Sequence, residues 1–352
     1  MPLDKIDEAR RQDWDRSGMG GLIAGFPRQC REAVEIGRAS AGITAGRRYR
    51  SLVVCGMGGS AIAADILAAY TDVLPIHAQR GYGLPAWVGP EDLVIASSYS
   101  GDTEETLSGY HEAKRRGSAI LAITTGGQLQ KLCQQDGIPC LAIPGGMPPR
   151  CALGYSFFTL FEALRRMKVV AGEDSEVDEA ISLMERLSAE CSLDNAGQSN
   201  LARQLAGRML GNLVVLYASV DHLAPVARRW ACQINENAKS LAYTATLPEL
   251  CHNEVVGWEL PTGHKKQTLV VMLADRDDHP RNRIRAKAVA GLVGPKAAGL
   301  AEVPSQGQGL LARLFSLLYL GDWASYHLAC LNQVDPTPIP SIVELKKMLS
   351  EQ

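Results

Sequence analysis

A turn of small and polar residues in the first quarter of the sequence has the composition of an anion-binding site. Residues 56–60 read Gly-Met-Gly-Gly-Ser and follow an apolar run. Gly58 and Gly59 let the main chain approach a ligand closely, and Ser60 lies near a helix start, where unpaired N–H groups favour negative charge. The turn does not complete the dinucleotide-binding fingerprint, because Ala61 occupies its last position. A strand–helix turn that binds nothing also fits this composition.

A second turn, residues 97–103, is rich in hydroxyl groups and precedes a predicted helix. Its Ser98, Ser100 and Thr103 can bind phosphate oxygens together with the first main-chain amides of that helix. Thr103 can instead be an ordinary N-cap, with Glu104 complementing the helix dipole. Because both turns follow strands of one predicted parallel sheet, both open at its carboxyl edge, which favours a shared phosphate site.

These turns are positioned by strands and helices that alternate along the chain, as is typical of parallel sheets covered by helices. Strands are predicted at residues 51–55, 74–78, 93–97, 119–124 and 139–143, and then at 213–217, 241–244, 268–273 and 299–303. Helical patterns separate most of them. A chain of 352 residues is long enough for two such domains. The predicted fold class is α/β, with two doubly wound domains whose parallel sheets are flanked by helices.

The domain boundaries are predicted from breaks in these patterns. We expect a helical extension at residues 1–45 packed on the first domain, a first domain at 46–193, a second at 194–334 and a tail at 335–352. The polar segment 194–200 is the predicted linker. In the tail we predict a short helix at 341–349 with Ser341 as its N-cap.

The composition argues against several classes of function. The sequence has 36 Lys and Arg against 38 Asp and Glu, and a net charge of −2 gives no broad attraction to nucleic acid or to anionic membranes. Its nine cysteines lack CxxC spacing and its seven histidines lack ligand spacing, so no metal is expected. A charged N-terminus and the lack of a long apolar run predict a soluble, cytoplasmic protein that does not bind membranes.

Several motifs together resemble the bifunctional phosphoglucose/phosphomannose isomerase family, whose domains are of the sugar isomerase (SIS) type. The two turns carry the first part of the resemblance. It continues through residues 148–155 (Pro-Pro-Arg-Cys-Ala-Leu-Gly-Tyr), 233–239 (Gln-Ile-Asn-Glu-Asn-Ala-Lys), 248–254 (Pro-Glu-Leu-Cys-His-Asn-Glu) and 335–338 (Asp-Pro-Thr-Pro). The resemblance implies an enzyme that interconverts glucose 6-phosphate and mannose 6-phosphate with fructose 6-phosphate through a cis-enediolate, without a cofactor.

The resemblance also implies roles for single residues. Glu236 is implied as the base that moves a proton between C1 and C2, and His252 as the group that helps to open the sugar ring. Arg150 is implied beside the enediolate, where a permanent cation stabilises negative charge. Taken alone, Glu236 would more simply be a solvated helix residue. For Arg150 the alternative is a surface arginine that flanks a helix. The implied phosphate ligands are Gly58, Gly59, Ser60, Ser98, Ser100 and Thr103.

The tail and the assembly are implied in the same way. Thr337 matches a small hydroxyl residue near C1 and C2, and Lys346 or Lys347 matches a tail lysine that assists ring opening, so that the tail helix docks near the active site. The resemblance further implies a homodimer in which His252 reaches into the site of the adjacent subunit. Asp102 stands where many relatives have Asn, and the N-terminal extension is longer than in the shortest members.

Two other functions stay open at this point. SIS domains also serve as sugar-phosphate sensors, which are usually fused to a DNA-binding helix-turn-helix, and residues 1–45 show no such motif. An isomerase for another phosphosugar would share the phosphate-binding turns but not the sequence around Glu236 and His252.

Overall fold

The computed structural model describes residues 11–39, 47–195, 197, 199–260 and 263–351. The chain divides into two compact units. The first unit consists of Gly25–Glu185 and Gly307–Leu314, and the second unit consists of Met1–Ala24, Arg186–Gln306 and Phe315–Gln352. The predicted boundaries at residues 45, 193 and 334 stay predictions.

Strands and helices alternate along both units. The strands are β1 (Leu52–Cys55), β2 (Ile76–Gln79), β3 (Leu93–Ser98), β4 (Ala119–Thr124), β5 (Cys140–Ala142), β6 (Leu213–Ser219), β7 (Ala242–Leu247), β8 (Thr268–Ala274) and β9 (Gly299–Pro304). The helices are α1 (Arg11–Trp14), α2 (Met19–Ala24), α3 (Phe26–Arg38), α4 (Gly58–Tyr70), α5 (Glu104–Arg115), α6 (Gly127–Asp136), α7 (Leu153–Arg166), α8 (Asp174–Cys191), α9 (Leu201–Met209), α10 (Ala224–Ala238), α11 (Glu254–Gly257), α12 (Pro280–Val293), α13 (Leu310–Leu331) and α14 (Pro340–Ser350).

The first unit is built on a parallel five-stranded sheet with the strand order β2-β1-β3-β4-β5. Every residue of β1 and β3 is buried. Apolar runs of this kind form the centre of a parallel sheet because helices cover both of its faces. Val53, Val94, Tyr110 and Ala122 belong to one of the resulting hydrophobic clusters. The strand order reverses between β1 and β3, where open α/β sheets bind their ligands.

The second unit repeats the architecture with a parallel four-stranded sheet in the order β7-β6-β8-β9. Tyr217, Val270, Met272 and Trp258 are buried together in its core. The prediction of two parallel-sheet α/β domains flanked by helices is therefore confirmed. Among the residues that the structure describes, no helix has the length and apolar character needed to cross a bilayer.

Two local predictions need correction. Helix α9 was missed because the polar segment before it looks like a linker, yet Asn200 is fully buried and caps α9 by accepting a hydrogen bond from the Arg203 N–H at 3.0 Å. Ser341 is not the N-cap of the tail helix. That helix begins at Pro340, whose missing N–H costs nothing at the first helical position, and Ile339 precedes it. The predicted helical pattern before residue 11 lies outside the described residues.

Candidate active site

The first turn leads from β1 into α4 without a side-chain cap. Met57 is the N-cap residue, its backbone is extended, and its side chain makes no capping hydrogen bond to the first turn of the helix. Gly58 has a φ of +51°, a conformation that side-chain-bearing residues rarely adopt. Ser60 is buried within this first helical turn. The first amides of α4 thus carry partial positive charge that the N-cap side chain does not neutralise, which suits an anion.

The second turn is organised by its own hydroxyl groups. Ser98 Oγ lies 2.8 Å from Thr103 Oγ1 and accepts a hydrogen bond from the Gly101 N–H at 3.0 Å. Ser100 Oγ accepts from the Asp102 N–H at 3.2 Å. Thr103 stands at the N-cap position of α5, but its side chain does not cap the helix. The ordinary capping role is therefore not performed, and the first amides of α5 resemble those of α4.

Pairing of the strands brings the two turns to one edge of the sheet. Cys55, the last residue of β1, lies opposite Ala96 of the neighbouring parallel strand β3. Asp102 fixes the second turn from the side of β4, because its Oδ1 accepts a hydrogen bond from the Gln128 N–H of α6 at 2.8 Å. An asparagine has the same oxygen, so it would preserve the contact.

Arg150 lies in the first unit, in a short 3-10 helix formed by Pro149–Cys151. Its side chain is only 5% exposed, unlike that of an ordinary surface arginine. The segment packs against the first turn, since a Cβ atom placed on Gly59 would lie 3.4 Å from the carbonyl oxygen of Pro149. The structure thus brings the Arg150 segment to the first turn.

Glu236 lies in the second unit, near the end of α10, and is half-buried. Helix α10 is held on α13 by a buried bidentate ion pair, in which Arg229 Nε and Nη2 lie 3.1 and 3.0 Å from the two carboxylate oxygens of Asp322. Gln233 Nε2 donates to Asp322 Oδ1 at 2.9 Å, and Asn237 Nδ2 donates to Ser325 Oγ at 3.0 Å. Because these buried donor groups all have acceptors on α13, the position of the helix that carries Glu236 is fixed.

Lys239 connects the end of α10 to the tail. It ends the helix in a left-handed conformation with a φ of 54°, which is uncommon for a residue other than glycine. Its Nζ donates hydrogen bonds to the carbonyl oxygens of Glu236 and Pro336. The structure therefore brings the segment of Thr337 to the helix end that carries Glu236. Sequence reasoning gave Lys239 no role, although the residue belongs to the motif at 233–239.

The remaining predicted groups also lie in the second unit. His252 is exposed and ends a 3-10 helix, Glu249–His252. Glu254 accepts a hydrogen bond from the Tyr217 hydroxyl, which in turn accepts one from Trp258 Nε1 at 3.0 Å. Burial and the neighbouring Glu254 raise the pKa of Tyr217. Glu254 is therefore tied into the core of the second unit.

The structure leaves the tail lysines unassigned. Lys346 and Lys347 both lie on α14, where residues 341–349 are all exposed. Neither is distinguished from the other by burial. Among the residues that the structure describes, no three His, Cys, Asp or Glu side chains are grouped so that they could hold a metal ion.

The fold and the second half of the sequence define the class of protein. Residues 198–349 match the family profile of the bacterial phospho-glucose isomerase C-terminal SIS domain. A hypothetical protein of known structure from Thermus thermophilus superposes with a TM-score of 0.75 over 98% of this chain and 94% of that chain, at 18% identity. At that identity the superposition shows the fold alone. The chain is a SIS-domain protein.

Similarity to named proteins identifies the family within this class. The chain is 39% identical over 332 residues to the bifunctional phosphoglucose/phosphomannose isomerase of Caldicellulosiruptor bescii, covering 94% of this chain and 98% of that protein. It is 35% identical over 303 residues to the protein of the same name from Thermoplasma acidophilum, covering 86% and 90%. The chain belongs to the bifunctional phosphoglucose/phosphomannose isomerase family and is an enzyme of the phosphosugar isomerase class.

Proposed function

We propose that this enzyme interconverts glucose 6-phosphate and mannose 6-phosphate with fructose 6-phosphate. The observation that carries the proposal is the pair of helix starts, at α4 and α5, that lack side-chain caps and follow adjacent parallel strands. Such an arrangement suits a phosphate group, which is common to all three sugars. The names of the relatives supply the sugars themselves.

The phosphate is proposed to bind the amides of Gly58 and Gly59 together with four hydroxyl groups. The hydroxyls are those of Ser60, Ser98, Ser100 and Thr103. Ser60 and Ser100 can each donate one hydrogen bond to an anionic oxygen, and so can whichever of Ser98 and Thr103 does not donate to the other. Such charge-assisted bonds are stronger than neutral ones. Binding at this distant end of the sugar positions the carbons that react, which lowers the entropic part of the barrier.

Glu236 is proposed to remove the proton from C2 of the open-chain aldose and to deliver a proton to C1, while the proton of the C2 hydroxyl passes to the C1 oxygen and C2 becomes the ketose carbonyl. The electrons of the C2–H bond form the C1–C2 double bond, and the carbonyl oxygen becomes an enediolate oxyanion. Arg150 stabilises that charge as a permanent cation. Glucose 6-phosphate and mannose 6-phosphate differ only at C2, and this step removes the difference, so one intermediate serves both aldoses.

His252 is proposed to assist ring opening, which must precede proton transfer. An imidazole can both accept and donate a proton, so it can exchange one with the ring oxygen or with the hemiacetal hydroxyl. A tail lysine, Lys346 or Lys347, assists this step, and Thr337 contacts the substrate near C1 and C2. We further propose a homodimer in which His252 serves the site of the adjacent subunit, and its exposure leaves it accessible to a partner.

One assay tests the function directly. Fructose 6-phosphate is detected by a coupled reaction, starting from glucose 6-phosphate and separately from mannose 6-phosphate, with EDTA present. We expect activity on both sugars that survives chelation. Activity on glucose 6-phosphate alone would remove the second specificity. Activity on neither, with phosphosugar binding retained, would favour a sensor or an isomerase for a different phosphosugar.

A further inference from the structure

We propose that Gln29 and Tyr99 are positioning residues that hold Arg150 at a fixed place relative to the phosphate-binding turns. The proposal rests on the proposed function, in which Arg150 stabilises the enediolate. All the residues concerned belong to the first unit.

Gln29 is a buried amide whose two polar atoms are both used. The residue lies on α3 and is 5% exposed. Its Nε2 donates to the carbonyl oxygen of Cys151 at 2.9 Å and contacts Met147 Sδ at 3.4 Å, while its Oε1 accepts from the Tyr155 N–H at 3.2 Å. These contacts hold the chain on both sides of Arg150 and at the start of α7. A buried amide with these partners costs little to bury, but losing one partner is costly.

Gly154 supports the same contact by leaving room for it. A Cβ atom at this position would lie 2.5 Å from Gln29 Oε1 and 3.1 Å from Cys30 Sγ. Any larger residue would therefore push the amide away from the Tyr155 N–H. This close approach is a physical reason for glycine at this place in the motif of residues 148–155.

Tyr99 holds the chain that precedes Arg150, at Met147, and links it to the second phosphate-binding turn. It lies between Ser98 and Ser100, and its hydroxyl accepts a hydrogen bond from the Met147 N–H at 3.2 Å. The carbonyl oxygen of Tyr99 is itself fixed by Thr125, whose N–H and Oγ1 donate to it at 3.1 and 2.8 Å.

The two contacts have a chemical consequence. In the substrate, the phosphate group and the C1–C2 bond are separated by a fixed carbon chain. The protein groups that bind them must keep a matching separation, and an error of about 1 Å can cost about 10²-fold in rate. Tyr99 links the Ser98–Ser100 turn to Met147, and Gln29 holds the chain that follows Arg150. Together these contacts keep Arg150 at a fixed distance from the turn.

The test compares two ligands that differ in charge at C1. Sorbitol 6-phosphate is neutral there, whereas 6-phosphogluconate carries a carboxylate that resembles the enediolate. For Gln29→Leu we expect kcat to fall about 10- to 100-fold and the binding of 6-phosphogluconate to weaken at least about tenfold. Sorbitol 6-phosphate binding, measured by calorimetry, should change less than about twofold. We expect Tyr99→Phe to show the same selective loss.

Thr159→Val is the matched control, because Thr159 Oγ1 donates to the Ala33 carbonyl at 3.2 Å and so links the same two helices, α3 and α7, away from Arg150. It should leave kcat and both affinities unchanged. If Gln29→Leu no longer binds either ligand, or does not fold, the results for Tyr99→Phe test the proposal instead. Wild-type kcat and affinities in Tyr99→Phe, or equal weakening of both ligands, would overturn the proposal. A wild-type enzyme inactive on both aldoses would refute the proposed function instead, and the ratio of the two affinities would still test the positioning.

Discussion

The side-chain oxygens of Ser98 and Thr103 lie 2.8 Å apart, across the turn that precedes α5. This contact turns the threonine hydroxyl away from the helix that it would normally cap. Two hydroxyls that share one hydrogen bond still have a proton and lone pairs to offer. The turn is thus arranged so that both the hydroxyls and the first amides of α5 can serve a ligand.

Removing hydroxyls from both turns should weaken phosphosugar binding. For Ser60→Ala combined with Ser100→Ala we expect KM to rise at least about 10²-fold, because two hydrogen bonds to a charged group are lost and each is worth about 1.5–3 kcal/mol. Steady-state kinetics with fructose 6-phosphate measure this. Ser118→Ala is a control, since its hydroxyl bonds to Gly89 just before β4, at the opposite edge of the sheet. An unchanged KM in the double variant would place the phosphate elsewhere.

Replacing Glu236 distinguishes a catalytic base from a solvated helix residue. Glutamine keeps the shape but cannot accept the carbon-bound proton, so kcat should fall about 10²- to 10⁴-fold with KM little changed. Exchange of substrate hydrogen with solvent deuterium, followed by NMR, should disappear in parallel. Glu302→Gln, an exposed carboxylate in the same unit, should behave like the wild type. Near-normal turnover of Glu236→Gln would move the search for the base to Glu254.

Replacing His252 should separate ring opening from proton transfer. In His252→Ala we expect turnover of the cyclic sugars to drop, while hydrogen exchange on the open-chain form is partly retained, because only the first step needs the imidazole. Mixing this variant with Glu236→Gln tests the proposed homodimer. Mixed dimers should regain activity if His252 serves the neighbouring site. No recovery after verified subunit exchange would mean that each chain uses its own histidine.

A buried histidine in the second unit should make stability depend on pH. His327 is fully buried and its Nε2 lies 2.7 Å from the Cys191 carbonyl. Burial, aided by the charge of Arg203, lowers the pKa of His327 to about 4, and the Cys191 hydrogen bond only partly offsets this. The unfolded chain therefore binds an extra proton between about pH 6.5 and pH 4.

The contribution of neutral His327 to the free energy of unfolding should be fully present above about pH 6.5. The free energy of unfolding should then fall by up to about 3 kcal/mol as the pH drops to about 4. Urea unfolding at pH 7.5 and pH 5 measures the change. His327→Gln cannot titrate, so its free energy of unfolding should fall less over the same range. Equal slopes in the two proteins would exclude this histidine as the cause.

The ion pair beneath Glu236 should matter for stability. Asp322→Ala leaves Arg229 buried without its carboxylate partner, and we expect a loss of about 3–5 kcal/mol in the free energy of unfolding. Glu190→Ala breaks the exposed pair with Arg186 and should cost less than about 1 kcal/mol. Equal effects of the two substitutions in urea unfolding would show that the buried pair does not anchor α10.

Much of the fold could be predicted because its signals are local. Apolar runs the length of a strand and the glycine and hydroxyl turns after β1 and β3 are complete within about ten residues, and so is the amphipathic period of the helices. The two predicted turns belong to neighbouring strands for a general reason, since the order of a doubly wound sheet places its first and third strands side by side.

The contacts that support the candidate site could not be predicted in this way. Gln29 bonds to Cys151 across 122 residues, and Lys239 bonds to Pro336 across 97. Nothing near Gln29 in the sequence distinguishes it from a surface residue of an amphipathic helix. Thr103 has the sequence context of a helix cap, but in the structure its hydroxyl is hydrogen-bonded to Ser98. The sequence by itself determined most of the segments that form strands, helices and turns, because these depend on neighbours along the chain. Only the tertiary structure decided which polar groups are buried and what they bind, because burial brings together residues whose separation in sequence carries no periodic signal.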